Sequence, residues 1–338
     1  MLAFHAHLEL GELAYDQHSV ALCLRRGLLP IVDRLDVTLP RDVRFEAALG
    51  DPVALKLDGG EGEALVFTGK VSAIRRGLRD LRVSACNGGF DLARYRPSLA
   101  IEQVSVGDIV KRLCGDVELD VGEVDDGPKL ALYVADGRAS ALDEITRLAR
   151  HLGAIAAVDG ENKLHCTSIS AGAGAKDLAL RYGREILAVE LERLAPDTAE
   201  LVVVGEGAGA SGSPKALWPI ADFYQGQRTG PGPGAKGRAE PELRTVDDAK
   251  AASAAWTQRR AMGEQRVRLN AWLLPELAPG ARIEIQDLPE TIDLSALRVR
   301  QVVQRVDARR GAFSEVWASE DVGSDLLGQL LGALGGLL

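Results

Sequence analysis

One pattern of alternating residues occurs twice in this chain, and it constrains the fold more than any other feature. The first copy runs Leu49-Gly50-Asp51-Pro52-Val53-Ala54-Leu55-Lys56-Leu57, then Val66-Phe67-Thr68-Gly69-Lys70-Val71, then Arg75-Arg76-Gly77 and Leu81-Arg82-Val83-Ser84-Ala85. The second runs Leu277-Ala278-Pro279-Gly280-Ala281-Arg282-Ile283-Glu284-Ile285, then Leu297-Arg298-Val299-Arg300-Gln301-Val302-Val303, then Arg309-Arg310-Gly311 and Phe313-Ser314-Glu315-Val316-Trp317-Ala318. Period-two alternation broken by turn residues is a strand signal, so each copy predicts neighbouring strands of a β-barrel. Gly69-Lys70-Val71 and Gln301-Val302-Val303 are expected in corresponding strands. Two similar modules in one subunit let a smaller ring match a larger one, which points to assembly before catalysis.

At 338 residues, 46% of them hydrophobic, the chain has room for two or three domains and a sizeable core. Aromatic residues make up only 4%, so the interior must be built from Leu, Val, Ile and Ala. A net charge of −9 argues against a nucleic-acid reader, which would carry a basic face. Cys23, Cys86, Cys114 and Cys166 lie far apart without a C-x-x-C pair and read as buried free thiols. The N-terminus lacks a secretory pattern, and no run reaches the ~18 apolar residues of a membrane span. The expectation is a protein folded and assembled in the cytoplasm.

Residues 1–97 are expected to form the first β-barrel domain, with Asp58-Gly59-Gly60-Glu61-Gly62 as a hairpin connection. Residues 98–170 read as a small α/β insertion. Ser105-Val106-Gly107-Asp108 opens a helix carrying Ile109, Val110 and Leu113. Ser140, with Asp143 three residues on, opens a second with Leu142, Ile145, Leu148 and Ala149 on one face, closed by Gly153. Ala171-Gly172-Ala173-Gly174-Ala175 has too little side chain for a core and predicts a linker. Residues 171–320 then form the second barrel, interrupted by a helix over 249–262. Residues 321–338 predict a short C-terminal apolar helix or tail.

A search for chemistry yields little. Gly205-Glu206-Gly207-Ala208-Gly209-Ala210 matches a dinucleotide fingerprint formally, but Ser211-Gly212-Ser213-Pro214 follows where a helix must open, so a long hairpin loop is expected. His5 and His7 share one face of a partly exposed edge strand, with no further ligand set beside them. His165 and Cys166 fall on opposite strand faces and cannot form a nucleophile pair. His151 sits at a helix C-terminus, where positive charge is favourable. Asp125-Asp126 reads as a turn and Asp247-Asp248 as a helix cap. Arg25-Arg26, Arg75-Arg76, Arg259-Arg260 and Arg309-Arg310 read as exposed faces or intersubunit salt-bridge partners. No catalytic, cofactor or metal site is expected. The tail's stripe, Leu326, Leu330, Leu331 and Leu334, is instead expected to pack on a partner, since glycines 328, 332 and 336 weaken it alone.

This arrangement resembles the phage late-control protein D family of contractile-tail baseplate hubs, which is similar to the N-terminal hub portion of VgrG proteins. The residues that carry it are Leu49-Gly50-Asp51-Pro52-Val53, Val66-Phe67-Thr68-Gly69-Lys70-Val71, the helices opened by Ser105 and Ser140, and Pro279-Gly280-Ala281-Arg282-Ile283. The resemblance implies a mainly β (α+β) fold with two tube-like barrels. It also implies a homotrimer whose pseudo-sixfold surface joins a hexameric tail tube protein to a trimeric spike. VgrG proteins continue into a spike whereas this chain stops at Leu338, so the spike is expected to be a separate protein. Other baseplate proteins are further expected partners, and DNA or protein cargo is expected to pass an acidic lumen. The expected location is a virion tail baseplate or injection particle. The rival readings are a tail-tip cell-wall hydrolase, which would need a carboxylate pair of separated pKa, and a module binding a surface ligand.

Overall fold

A computed structural model describes residues 4–16, 21–195, 201–206, 219–221, 236–240, 242–244, 246–289, 292, 294 and 296–321. The chain opens with β1 (His5–Leu10), β2 (Leu13–Tyr15), β3 (Ala21–Gly27), β4 (Arg34–Pro40), β5 (Pro52–Asp58), β6 (Glu63–Arg76) and β7 (Asp80–Cys86). A mixed region follows: α1 (Gly89–Arg94), β8 (Ser98–Ser105), α2 (Val106–Gly115), β9 (Asp120–Val124), β10 (Lys129–Asp136), α3 (Ala141–His151), β11 (Ala154–Val158) and β12 (Lys163–Ser168). Next come β13 (Leu178–Arg181), β14 (Ile186–Arg193), β15 (Leu201–Glu206), β16 (Pro219–Ala221), β17 (Lys236–Ala239) and α4 (Val246–Ala261). The last strands are β18 (Gln265–Trp272), β19 (Arg282–Gln286), β20 (Leu297–Asp307) and β21 (Gly311–Glu320).

Alternation in the sequence becomes two-faced strands. On β4, Leu35, Val37 and Leu39 are buried while Arg34, Asp36 and Thr38 face the other way. Each fully buried Leu contributes about 1.5–3 kcal/mol, and these residues join Leu8, Leu24, Leu55 and Val83 in one core. A second core gathers Ile186, Leu269, Ile283, Val299 and Val316. A third fills the mixed region, where Ile109, Leu113, Ile145 and Leu148 pack beneath Leu164. The helices there start where their caps predict. Ser105 Oγ accepts from the Asp108 N–H at 3.0 Å, and Ser140 with Asp143 forms a reciprocal capping box.

The largest sheet repeats itself. Its strand order is β14-β18-β21-β20-β3-β4-β7-β6-β5-β1-β2, with β19 attached to β20 and β13 to β19. Two runs of six strands therefore share one topology: β3-β4-β7-β6-β5-β1 and β14-β18-β21-β20-β19-β13. Corresponding pairs are antiparallel in both, except that β13 lies parallel to β19 where β1 is antiparallel to β5.

The register repeats too. The Gly50 N–H donates to Val71 O and the Val71 N–H to Asp51 O, both at 2.9 Å. The Gly280 N–H donates to Val299 O and the Val299 N–H to Ala281 O, again at 2.9 Å. A bulge follows at once in each case, between Val71 and Ala73 and between Val299 and Gln301. Val71 thus corresponds to Val299. The strands expected to match do so, but Gly69-Lys70-Val71 aligns with Leu297-Arg298-Val299, four residues before Gln301-Val302-Val303.

The two runs are hydrogen-bonded to each other. β3 pairs antiparallel with the second half of β20, from Ala21 opposite Asp307 to Gly27 opposite Gln301. Leu273, Val306 and Ala312 consequently belong to the first core although they come from the second run. The expected linker is also a packed element: residues Ile169–Gly174 form a 3-10 turn with Ile169, Gly172 and Ala173 buried, and the Ala173 N–H donates to Thr167 Oγ1 at 3.0 Å. Small residues serve there because backbone meets backbone at Gly280.

Gly50 and Gly280 have matching φ values of +90° and +92° but different surroundings. A Cβ on Gly50 would meet nothing within 4 Å, whereas one on Gly280 would sit 2.3 Å from Gly172 O. Gly50→Ala is expected to lose about 1–2 kcal/mol to left-handed strain, and Gly280→Ala about 1–3 kcal/mol more through collision. Urea unfolding of both variants checks the difference.

Candidate functional site

The residues that alternate away from the cores line one polar sheet face. On the first run Arg34 donates to Asp36 at 2.8 Å and to Ser84 Oγ at 3.1 Å, and Ser84 Oγ donates to Asp36 at 2.6 Å. On the second, Arg268 Nε donates to Glu315 at 2.8 Å, its guanidinium lies 5.7 Å above the Trp317 ring, and Trp272 stacks on Phe313. Asp36 faces Ser84 as Arg268 faces Trp317, so these networks occupy equivalent places. Arg34, Asp36, Ala73, Arg75, Arg82 and Ser84 line a concave patch. Exposed ion pairs contribute at most about 1 kcal/mol each, so the face is a hydrated lining of both charge signs. Hydrogen bonds donated to Asp36 and Glu315 raise the pKa of Arg34 and Arg268 respectively, fixing their charge. Half-buried Cys23 and Cys86 flank the face, and burial raises both thiols away from the reactive thiolate.

The histidines among the described residues are engaged elsewhere. His165 Nε2 lies 2.9 Å from Asp159, and its Nδ1 accepts the Glu123 N–H at 3.1 Å. A Cβ on Gly122 would come within 2.2 Å of that ring, so the imidazole is wedged against backbone. Cys166, on the opposite face, is buried and pushed up to about 12 by desolvation, as is Cys114. His7 lies 2.5 Å from Asp16 and 3.0 Å from Glu9, and His5 lies 3.7 Å from Glu63. β1 is not an edge strand: it runs between β5 and β2, although β2 covers only Leu8, Glu9 and Leu10.

A cluster that sequence reading missed surrounds His151. The imidazole is buried, with Nε2 3.1 Å from Glu240 and Nδ1 3.8 Å from Glu242. Arg147 binds Glu144 at 2.8 Å, Glu240 at 3.3 Å and Glu242, while Arg238 also holds Glu240. His151, Glu240 and Glu242 are of metal-ligating type, yet two guanidiniums already neutralise these carboxylates. The cluster fastens α3 to the segment after β17. Burial alone would raise the Glu240 carboxyl, but His151 and Arg238 outweigh it and hold it at about 2. The native carboxylate is thus favoured relative to the unfolded chain above pH 4.5, and that stability fades as pH falls toward 2. Glu240→Gln is expected to remove up to about 3 kcal/mol of it at neutral pH and almost none near pH 2, as acid-series urea unfolding would show.

Of the arginines expected on exposed faces, Arg26 is buried and Arg259 is half-buried. Arg26 donates to Val66 O at 3.3 Å and to Leu277 O, and Arg259 donates to Ala154 O, with burial lowering Arg259 to about 10. Leu326, Leu330, Leu331 and Leu334, and residues 207–218 where a hairpin loop is expected, lie outside the described residues. Among the described residues no helix is long and apolar enough to cross a membrane.

No protein-family model and no curated protein matches the sequence. Solved structures do match it. The 43 kDa tail protein of prophage MuSo2 from Shewanella oneidensis aligns over 94% of this chain and 98% of its own, with TM-score 0.67 and 14% identity. The tail protein from Neisseria meningitidis MC58 aligns over 94% and 97%, with TM-score 0.69 and 14% identity. The fold is that of phage tail proteins. It extends to the E. coli c3393 protein, a type VI secretion component described as similar to the T4 tail proteins gp27 and gp5 (TM-score 0.62, 13% identity, 93% of this chain and 76% of that one). Conservation of a tail-protein fold at such low identity fits the physics above, because alternating faces and turn positions are specified by residue class rather than identity.

Proposed function

We propose that this chain is a non-enzymatic, structural baseplate hub, three copies of which form a ring joining a hexameric tail tube to a trimeric central spike. The observation that carries the reading is the repeat of six strands in one order and one register within a single chain. Three such chains present six similar sheet units, so a threefold ring meets a sixfold neighbour without leaving half of its contacts unmatched. The tail-protein fold supports the same role, and among the described residues the His151, Glu240 and Glu242 side chains are held by one another and by Arg147 and Arg238. The polar sheet face would line the lumen through which DNA or protein cargo passes; its Arg34–Asp36 and Arg268–Glu315 pairs make it mixed in charge rather than uniformly acidic. A spike protein would take the 321–338 stripe, through Leu326, Leu330, Leu331 and Leu334, on the strength of sequence pattern alone. The assembled location would be a virion tail baseplate or a related injection particle. Mass photometry of the purified chain is expected to show a three-copy species. A monomer or dimer inside the assembled particle would overturn the reading.

A further inference from the structure

The register repeat makes one contact of this chain a template for another. β20 is long: along one edge it pairs with β21, and along the other it pairs first with β19, at Leu297 and Arg298, then with β3, from Gln301 to Asp307. β6 corresponds to β20. It pairs with β7 along one edge and with β5, up to Lys70, along the other, while the second edge of Ala73–Ile74–Arg75–Arg76 meets no strand among the described residues. β14 corresponds to β3, since Ala188, Val189, Glu190, Leu191 and Glu192 face β18 as Ala21, Leu22, Cys23, Leu24 and Arg25 face β4. Its far edge is likewise the end of the described sheet. One chain thus presents the two halves of a β3–β20 junction at opposite ends of one run of strands, each without its counterpart.

We propose that β14 of one copy adds antiparallel to the end of β6 of the next, reproducing the β3–β20 junction between chains. Transferring the observed register sets Ala73 opposite Leu194, Ile74 opposite Arg193, Arg75 opposite Glu192 and Arg76 opposite Leu191. Charge agrees with this placement. The β6 end carries exposed Arg75 and Arg76 with Arg79 in the following turn, and β14 carries exposed Glu190 and Glu192. Burial agrees as well: Leu22 and Leu24, covered by β20, are buried, while the equivalent Val189 and Leu191 are only half-buried. Leu78, just past β6, is 86% exposed where its counterpart Val306 is 8% exposed against the first core. The occupant is a second copy of this chain because each edge fits the other in register, charge sign and apolar positions. Such a contact is head-to-tail, so it propagates until a ring closes and both of these edges are covered.

The inference deepens the ring reading and rests on it for the number of copies, not for the edge. The full chain is compared as wild type, Arg75→Glu, Glu192→Arg and the double reversal by sedimentation velocity across a concentration series, with circular dichroism as the folding control. Each single reversal sets like charges opposite one another and is expected to weaken self-association by about tenfold, and the double to restore it. Arg75→Cys combined with Glu192→Cys is expected to give disulfide-linked multimers on oxidation, with neither single variant doing so. Association of all variants equal to wild type, without specific cross-linking, would overturn the edge assignment and leave the ring reading standing. A wild-type chain that stays monomeric throughout would overturn both.

Discussion

Replacing Arg298 with alanine is expected to lower the free energy of unfolding by about 3–5 kcal/mol, the range for breaking a buried ion pair from one side. Its guanidinium is 2% exposed and makes three directed bonds: Nε to Asp321 at 3.2 Å, Nη2 to the other Asp321 oxygen at 3.0 Å, and Nη1 to Gly280 O at 2.8 Å. It thereby joins the end of β21 to the turn before β19. Without it the Asp321 carboxylate keeps, among the described residues, the longer contact to Arg282 at 3.3 Å, and the Gly280 carbonyl loses this donor. Arg298→Lys should recover only part of the loss, because an ammonium cannot bind a carboxylate bidentately and reach the carbonyl as well. Urea unfolding of both variants, with Asp321→Asn to complete a double-mutant cycle, gives the coupling directly.

Arg26→Ala is expected to cost about 2–4 kcal/mol and to make unfolding less cooperative. Arg26 stands on β3 opposite Val302 of β20, where the two six-stranded runs meet. From there its guanidinium reaches Val66 O of the first run and Pro275 O and Leu277 O of the second. Desolvation lowers its pKa, partly countered by the charge of Asp33, whose own carboxyl burial pushes up to about 7. An alanine there takes a donor from carbonyls of both runs and removes a side chain that clasps them together. Calorimetry is expected to show a van't Hoff enthalpy falling below the calorimetric one as the runs uncouple. A single sharp transition with unchanged midpoint would show that the sheet contact alone carries the coupling.

Local features were legible because local physics produces them. Period-two alternation marked β4, β5 and β7, and Ser105 and Ser140 marked α2 and α3 through the side-chain oxygens that cap them. The repeat was visible too, and Gly69-Lys70-Val71 and Gln301-Val302-Val303 do fall in corresponding strands, but the residue-by-residue register could not be read from it. Val299, Val302 and Val303 all suit an alternating strand, and the bulge after Val299, which puts Val302 rather than Val303 in its core, shows only in the hydrogen bonds. Long-range partners had no local signal. Nothing beside His151 announces Glu240 and Glu242, and nothing beside Arg26 announces the carbonyls of Pro275 and Leu277. Ala171-Gly172-Ala173-Gly174-Ala175 misled for a related reason: small residues suit a flexible linker and a close backbone crossing equally, and here Gly172 lies against Gly280.

The central claim is that one chain supplies two equivalent sheet units to a closed ring. A single-particle cryo-EM reconstruction of the assembled protein tests it most directly. The account predicts three copies whose six units superpose around the axis, with every junction between units built like β3 on β20. A reconstruction with another number of copies, or with chains meeting through faces other than these sheet edges, would contradict it.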